Sequence, residues 1–421
     1  MKAPSIHPPR FAIACGGTGG HLFPGLAVAR HLVDHGCRVT LMISPKEVDQ
    51  EAVREVSDME IVTLPAVGLQ RGGEIAFVRG FSKSYRTARK LFTADPPVAA
   101  LAMGGFTSAA PVLAARRCHA RTFLHESNSI PGRANRWLSL VVSQAFVGFP
   151  SAAARLRTRN VTITGTPVRP EFHAADAAAA RAALGLDPER PVLLVMGGSQ
   201  GARGINDLVL RSLPLISERA PALQWIHFAG TQDADRVREG YAKLGVTAFV
   251  QPFFHHMDTA LGAATLTISR AGASSLAEIA AMRVPAVLVP YPAAVDNHQF
   301  HNARAMEASG AARLLEQKGA TPESLANVLW DLIEKPAIRE RMQHALAHWD
   351  SPDAAERIAL AMLEAASVSL KPGSPSGPKV LSEESADGRR GESCGAEMRA
   401  LPQAGKSRHQ RAVNAERRAA A

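Results

Sequence analysis

The sequence predicts an α/β protein of two halves, each a parallel sheet covered by helices, facing one another across a central cleft. Two observations carry this. Strand-like apolar runs alternate with helical patterns along most of the chain, as open parallel sheets require. Each half also opens with the same layout. Residues 11–15 run into Gly16-Gly17-Thr18-Gly19-Gly20-His21 and a helical pattern over 22–33. Residues 192–196 run into Gly197-Gly198-Ser199-Gln200-Gly201 and a helical pattern over 205–213. A glycine turn there lets backbone N–H groups approach a phosphate at the positive end of the following helix.

In order after the first turn, apolar runs at 39–43, 98–103, 122–124, 144–147 and 161–163 read as strands of one Rossmann-like domain. Runs at 223–228, 247–250, 266–268 and 286–289 continue a second. Gly165-Thr166-Pro167-Val168-Arg169-Pro170 interrupts the alternation with two prolines and marks the joint. The expected organisation is therefore 1–166 and 167–345, then a C-terminal helix over 346–366 packing back on the first domain. From 367 to 421 Ser, Pro, Gly, Arg and Ala dominate, and a tail that buries so little apolar surface is expected to be disordered.

Composition narrows the partners. The 421 residues are 46% hydrophobic and 20% charged with a formal net charge of +10, ordinary for a globular α/β chain and basic enough for phosphate-bearing ligands or an acidic surface. Cys15, Cys37, Cys118 and Cys394 have no metal-ligand spacing and read as reduced thiols. The uncharged stretch 96–115 is broken by Pro97, Gly104, Gly105 and Pro111, so it reads as strand, turn and helix rather than a membrane span.

Neither glycine turn is a dinucleotide or Walker site. The first would need glycine at Leu22 and an acid after Ile43-Ser44-Pro45, and both turns lack the Walker lysine. Asp233-Ala234-Asp235 reads as the start of a helix rather than a metal ligand pair, so no metal and no cofactor are expected. His21 closes the first loop at a helix start, where the helix field favours its neutral form. It is a candidate general base, with capping or packing as the equal alternative. Gly104-Gly105-Phe106-Thr107-Ser108, His125-Glu126-Ser127-Asn128 after the strand 122–124, and the segment 269–278 all fall where strand ends line a cleft. Glu278 is expected on the first turn of its helix, free to accept hydrogen bonds from a ribose diol. Asp296-Asn297-His298-Gln299 offers hydrogen-bonding groups for sugar hydroxyls.

Residues 71–92 differ in character. Phe77, Phe81, Tyr85, Ala88 and Phe92 form one stripe at helical spacing, and Arg79, Lys83, Arg86, Arg89 and Lys90 the opposite side, with Ile75 and Val78 at the border. A core helix with a solvated face is one reading. A basic helix on anionic lipid headgroups is the other.

Taken together, Gly16 to His21, Met103-Gly104-Gly105-Phe106, His125 to Asn128, Gly165 to Arg169, the Gly197 turn, the 269–278 segment and Asp296 to Gln299 resemble the MurG family over residues 8–365. That resemblance implies the GT-B fold and transfer of GlcNAc from UDP-GlcNAc to lipid I, with inversion. It implies Glu278 on the ribose, Phe254 and the backbone of Ala273, Ser274, Ser275 and Leu276 around the nucleotide, and Ser199 and Arg169 on the diphosphate, with Arg270 a further cation. Gln299 and Asn128 would orient GlcNAc. Thr18, Gly19 and Gly20 would border the transferred sugar and the acceptor diphosphate, with His21 as base. Ile75, Val78, Arg79, Lys83 and Arg86 would contact the anionic inner-membrane surface from the cytoplasmic face, with the protein peripheral there. Other wall-synthesis proteins are further candidate partners, and nucleic acid is not. Ser127 stands where many members carry glutamine. The competing readings are another GT-B enzyme, such as a UDP-GlcNAc 2-epimerase, and a nucleotide-binding scaffold.

Overall fold

A computed structural model of the chain describes residues 8–68, 73–198 and 201–369. The first half runs β1 (Arg10–Ala14), α1 (Gly19–Asp34), β2 (Arg38–Ile43), α2 (Glu47–Ala52), β3 (Glu60–Thr63), α3 (Glu74–Ala94), β4 (Ala99–Ala102), α4 (Ala109–Arg117), β5 (Arg121–Glu126), α5 (Arg133–Leu138), β6 (Gln144–Val147), α6 (Pro150–Ala153) and β7 (Val161–Ile163). The second runs α7 (Ala177–Ala183), β8 (Val192–Met196), α8 (Arg203–Arg219), β9 (Gln224–Phe228), α9 (Ala234–Lys243), β10 (Ala248–Gln251), α10 (Met257–Ala263), β11 (Leu266–Ser269), α11 (Ala273–Ala281), β12 (Ala286–Leu288), α12 (His298–Ala308), β13 (Arg313–Leu314), α13 (Pro322–Glu334), α14 (Pro336–Ala347) and α15 (Ala354–Ser369).

The two sheets are parallel throughout, ordered β3-β2-β1-β4-β5-β6-β7 and β10-β9-β8-β11-β12-β13. In each, the strand before the glycine turn is central and its order reverses beside it, which places the turn at a switch point where ligands of open α/β sheets bind. Burial explains the strands: every residue of β1 and of β8 is buried, and past Arg10, which pairs with Glu60, both are apolar runs between two helix layers. β3 and β13 had no counterpart in the sequence reading. Both are short edge strands with half-exposed side chains, so they lack an apolar run.

α15 leaves the second half and packs against α1, β4 and β5. Ile358, Ala359 and Met362, all fully buried, share a core with Phe11, Ile13, Leu22 and Leu26. The helix expected from 346 begins at Ala354, because α14 runs to Ala347 and a turn intervenes, and helix persists to Ser369 rather than giving way at 367. Residues 370–421 lie outside the described residues.

α3 extends beyond the expected stripe. Its buried line is Gly80, Ser84, Ala88 and Phe92, while Phe77, Phe81 and Tyr85 are only half-buried flanks. Small residues let the helix lie close to its neighbours, and Ala88 and Phe92 pack among Ala12, Ala100, Ala114 and Ala115. Ile75 and Val78 are 70% and 58% exposed, beside exposed Arg79, Lys83 and Arg86. Among the described residues no helix is long and apolar enough to cross a membrane.

Candidate active site

The site is built on loops at the carboxyl ends of the strands. In the first domain, Thr18 caps α1 in extended backbone conformation and His21 sits in the first turn. Its Nδ1 lies 3.0 Å from Thr18 Oγ1. The ring lies against Gly104 and Gly105. A Cβ on Gly104 would come within 2.9 Å of His21 Cδ2 and Nε2, and its φ of +107° is itself closed to most side chains. Ser108 ties this turn to β1, its hydroxyl donating to Ala14 O at 3.0 Å and accepting from Gly104 N–H at 3.1 Å. Burial lowers the imidazole pKa to about 4, with Asp49 raising it and His298 and Lys46 lowering it further. The half-buried ring is therefore neutral at pH 7 and able to accept a proton.

His125 and Glu126 were expected just past a strand and instead form the last residues of β5, both buried. β5 is longer than its apolar run because their polar groups are satisfied internally. His125 Nε2 lies 3.0 Å from Gly165 O. The Glu126 carboxylate accepts from the N–H groups of Asn128 and Gly132, each at 2.9 Å, and from Asn135 Nδ2 at 3.0 Å, which winds the following loop around it. Asn128, beyond the strand, is thereby held at the cleft.

In the second domain α11 starts at Ala273 after the Gly272 cap, so Glu278 is on the second turn rather than the first. Dipole compensation is thus not its reason for being there. Burial raises its pKa to about 7, with Arg169 lowering it and Glu171 raising it. Arg169 stacks over Phe23 of α1 and over Phe172, at 4.5 and 4.9 Å, and pairs with Glu171 at 3.1 Å. Arg270 does not share that freedom. Its guanidinium donates to Val289 O, Pro290 O and Gln317 Oε1 at 2.9, 3.1 and 2.7 Å, so it stitches β11 to the β12 end. Phe254 is half-buried in a ring cluster, stacked on Phe228 at 5.3 Å. Gln299, in the first turn of α12, accepts from Tyr291 N–H at 2.9 Å. Ser199 lies outside the described residues. Asp233 accepts from Asn206 Nδ2 at 2.9 Å and pairs with Arg236, while Asp235 pairs with Arg238.

The two domains meet across these loops. Ser274 Oγ donates to Gly20 O at 3.0 Å, bringing the starts of α11 and α1 together. Asn302, fully buried, donates from Nδ2 to Asn128 Oδ1 at 3.0 Å and to Ala271 O at 3.1 Å, and accepts from Ser129 N–H at 2.9 Å. Arg136 pairs with Asp296 at 2.6 Å. Sequence reasoning missed Asn302 and Arg136, since neither belongs to a glycine turn or a strand end. Thr18 and His21 thus stand beside Ser274 through the Gly20 contact, Asn128 is tied to α12 through Asn302, and Arg169 reaches Phe23 of α1 from the second domain.

Two Rossmann-like domains with parallel sheets and a cleft between their switch points define the GT-B fold. Residues 11–147 match the glycosyltransferase family 28 N-terminal domain and 192–358 its C-terminal domain. A UDP-N-acetylglucosamine–N-acetylmuramyl-(pentapeptide) pyrophosphoryl-undecaprenol N-acetylglucosamine transferase of Sorangium cellulosum is 38% identical over 84% of this chain and 88% of its own length. A protein of the same name from Acidithiobacillus ferrooxidans is 36% identical over 84% and 97%. The crystal structure of Acinetobacter baumannii MurG superposes with a TM-score of 0.67 at 27% identity, over 85% of this chain and 99% of that one. The chain belongs to the MurG family of N-acetylglucosamine transferases.

Proposed function

We propose that this chain moves GlcNAc from UDP-GlcNAc to the 4-hydroxyl of MurNAc in undecaprenyl-pyrophosphoryl-MurNAc-pentapeptide, lipid I, with inversion, giving lipid II for peptidoglycan. The observation that carries the reading is the meeting of the starts of α1 and α11, since it sets the helix turn that bears His21 beside the helix turn whose N–H groups would hold the nucleotide diphosphate. The bond from the acceptor oxygen to the anomeric carbon forms as the bond to the diphosphate breaks, and the electron pair leaves with UDP. The hydroxyl proton goes to His21. Arg169 and the N–H groups of Ala273, Ser274 and Ser275 meet the growing negative charge. Glu278 accepts from the ribose hydroxyls, and Phe254 with the Leu276 backbone frames the base. Ser199 takes the diphosphate, Asn128 and Gln299 orient the sugar, and Thr18, Gly19 and Gly20 border the acceptor diphosphate.

The acceptor is a lipid, so the enzyme works at a membrane surface. Exposed Ile75 and Val78 flanked by Arg79, Lys83 and Arg86 support docking on anionic headgroups of the inner membrane's cytoplasmic face. The deciding experiment is a lipid I transfer assay. UDP release that needs lipid I, with GlcNAc appearing in the lipid, is expected. Conversion of UDP-GlcNAc to its 2-epimer without lipid would overturn the proposal in favour of an epimerase, and binding without turnover would favour a scaffold.

A further inference from the structure

The first glycine turn has an occupant of its own. Asp49, on α2 and fully buried, accepts at Oδ2 from Gly17 N–H at 2.6 Å, Ser44 N–H at 3.1 Å and Ser44 Oγ at 2.5 Å. Lys46, from the same segment, donates from Nζ to Gly17 O at 2.8 Å. Both polar ends of one glycine residue are thus gripped by side chains three positions apart. The fit leaves no slack at Gly16, where a Cβ would stand 2.3 Å from Ser44 N and 2.8 Å from Asp49 Oδ2. In a phosphate-binding glycine turn such N–H groups point at the ligand. Here the Gly17 N–H is spent on an internal carboxylate, and the N–H groups of Thr18, Gly19 and Gly20 have no hydrogen-bond partner among the described residues.

We propose that Asp49 and Lys46 form a clamp of positioning residues that fixes the Gly17 peptide, and so sets where the start of α1 presents Thr18, Gly19, Gly20 and His21 to the acceptor. The part of this concerning His21 rests on its reading as the base. The clamp also has an electrostatic side. The charged and titratable groups facing the imidazole are Asp49 and Lys46 from the β2–α2 segment, His298 from α12 and His125 from β5. Of these Asp49 favours the protonated ring, while Lys46 and His298 oppose it. A proton arriving on His21 during transfer is therefore drawn by Asp49, and the two clamp residues act on it with opposite sign.

The test is steady-state transfer to lipid I by the full chain across about pH 3.5–9, with circular dichroism at each pH to verify folding. Asp49→Asn is expected to lower kcat about tenfold to a hundredfold, leave the KM for UDP-GlcNAc within about twofold and move the acid limb of kcat to lower pH. Asp49→Glu keeps the charge but displaces it, so kcat should fall with the limb unmoved. Lys46→Met, at an exposed position, should lower kcat about threefold to tenfold and move the limb to higher pH. It decides the matter even if the Asp49 variants do not fold. Wild-type kcat and pH profile in Lys46→Met, or in a folded Asp49→Asn, would overturn the clamp. His21→Ala separates the two ideas: full turnover there would remove the base reading alone, while a dead His21→Ala beside unaltered clamp variants would remove the clamp alone.

Discussion

Replacing Glu278 by glutamine probes the donor side through its ionisation. Burial raises this carboxyl to about 7 in the free protein, and a ribose diol needs the ionised form to accept both hydroxyl protons. With that pKa, about nine-tenths of the groups are ionised at pH 8 and about one-tenth at pH 6. The Kd for UDP-GlcNAc should therefore weaken about tenfold between pH 8 and pH 6, with proton release on binding below pH 7. In Glu278→Gln one carbonyl acceptor remains without charge, and the loss of a charge-assisted bond is worth about 1.5 kcal/mol, about tenfold in Kd at pH 8, with no pH dependence left. Isothermal titration without acceptor, in two buffers of different ionisation enthalpy, reads both quantities. A wild-type Kd that is flat from pH 6 to 8, or a glutamine variant that keeps the slope, would refute the assignment of Glu278 to the ribose.

Other expectations follow from the same geometry. His21→Ala should lower kcat about 10²–10⁴-fold with little change in UDP-GlcNAc affinity, and equal losses in both would count against a base. Because burial holds the imidazole pKa near 4, the neutral ring persists as pH falls, so kcat at saturating donor should hold down to about pH 5 before declining. An acid limb at the ordinary histidine value would contradict this. Gly104→Ala places a methyl against the imidazole at an unfavourable backbone angle. It should cost about 1–3 kcal/mol of stability and depress kcat, read by thermal unfolding beside transfer kinetics. Exchanging Arg79, Lys83 and Arg86 for glutamine should weaken binding to anionic vesicles at low salt by about 3 kcal/mol, about a hundredfold, at about 1 kcal/mol per charge. Co-sedimentation identical to wild type would sink the membrane face.

Much of the fold was legible because buried parallel strands announce themselves. β8 is an unbroken apolar run, β1, β2 and β6 are apolar after their first residues but for Thr40 of β2, and the glycine turns after β1, β4 and β8 mark where the loops at the strand ends begin. β3 and β13 were not, since an edge strand needs no apolar run to join a sheet. The site was legible where it consists of loops at strand ends. It was illegible where a single polar residue completes it from elsewhere: Asp49 and Asn302 sit in helices, with partners in distant segments. The charge of Arg270 is visible in sequence, whereas the carbonyls of Val289 and Pro290 that accept from it are not. Glu278 was found but placed a turn too early, because α11 already begins at Ala273, directly after Gly272.

The last helix bears on how the protein is made. Phe11, Leu22 and Leu26 complete their core with Ile358 and Met362, which follow the whole second domain in the chain. The first domain therefore leaves the ribosome with a wall missing and closes only after the second has been made. Until then its exposed apolar face is open to aggregation, a burden that falls on early intermediates of large chains. The chain also passes twice between the domains, so a nick near residue 167 would leave the fragments docked, whereas loss of α15 would strip the first domain of a side it cannot replace. Separately expressed halves divided at that joint should yield a stable second domain and an insoluble first one.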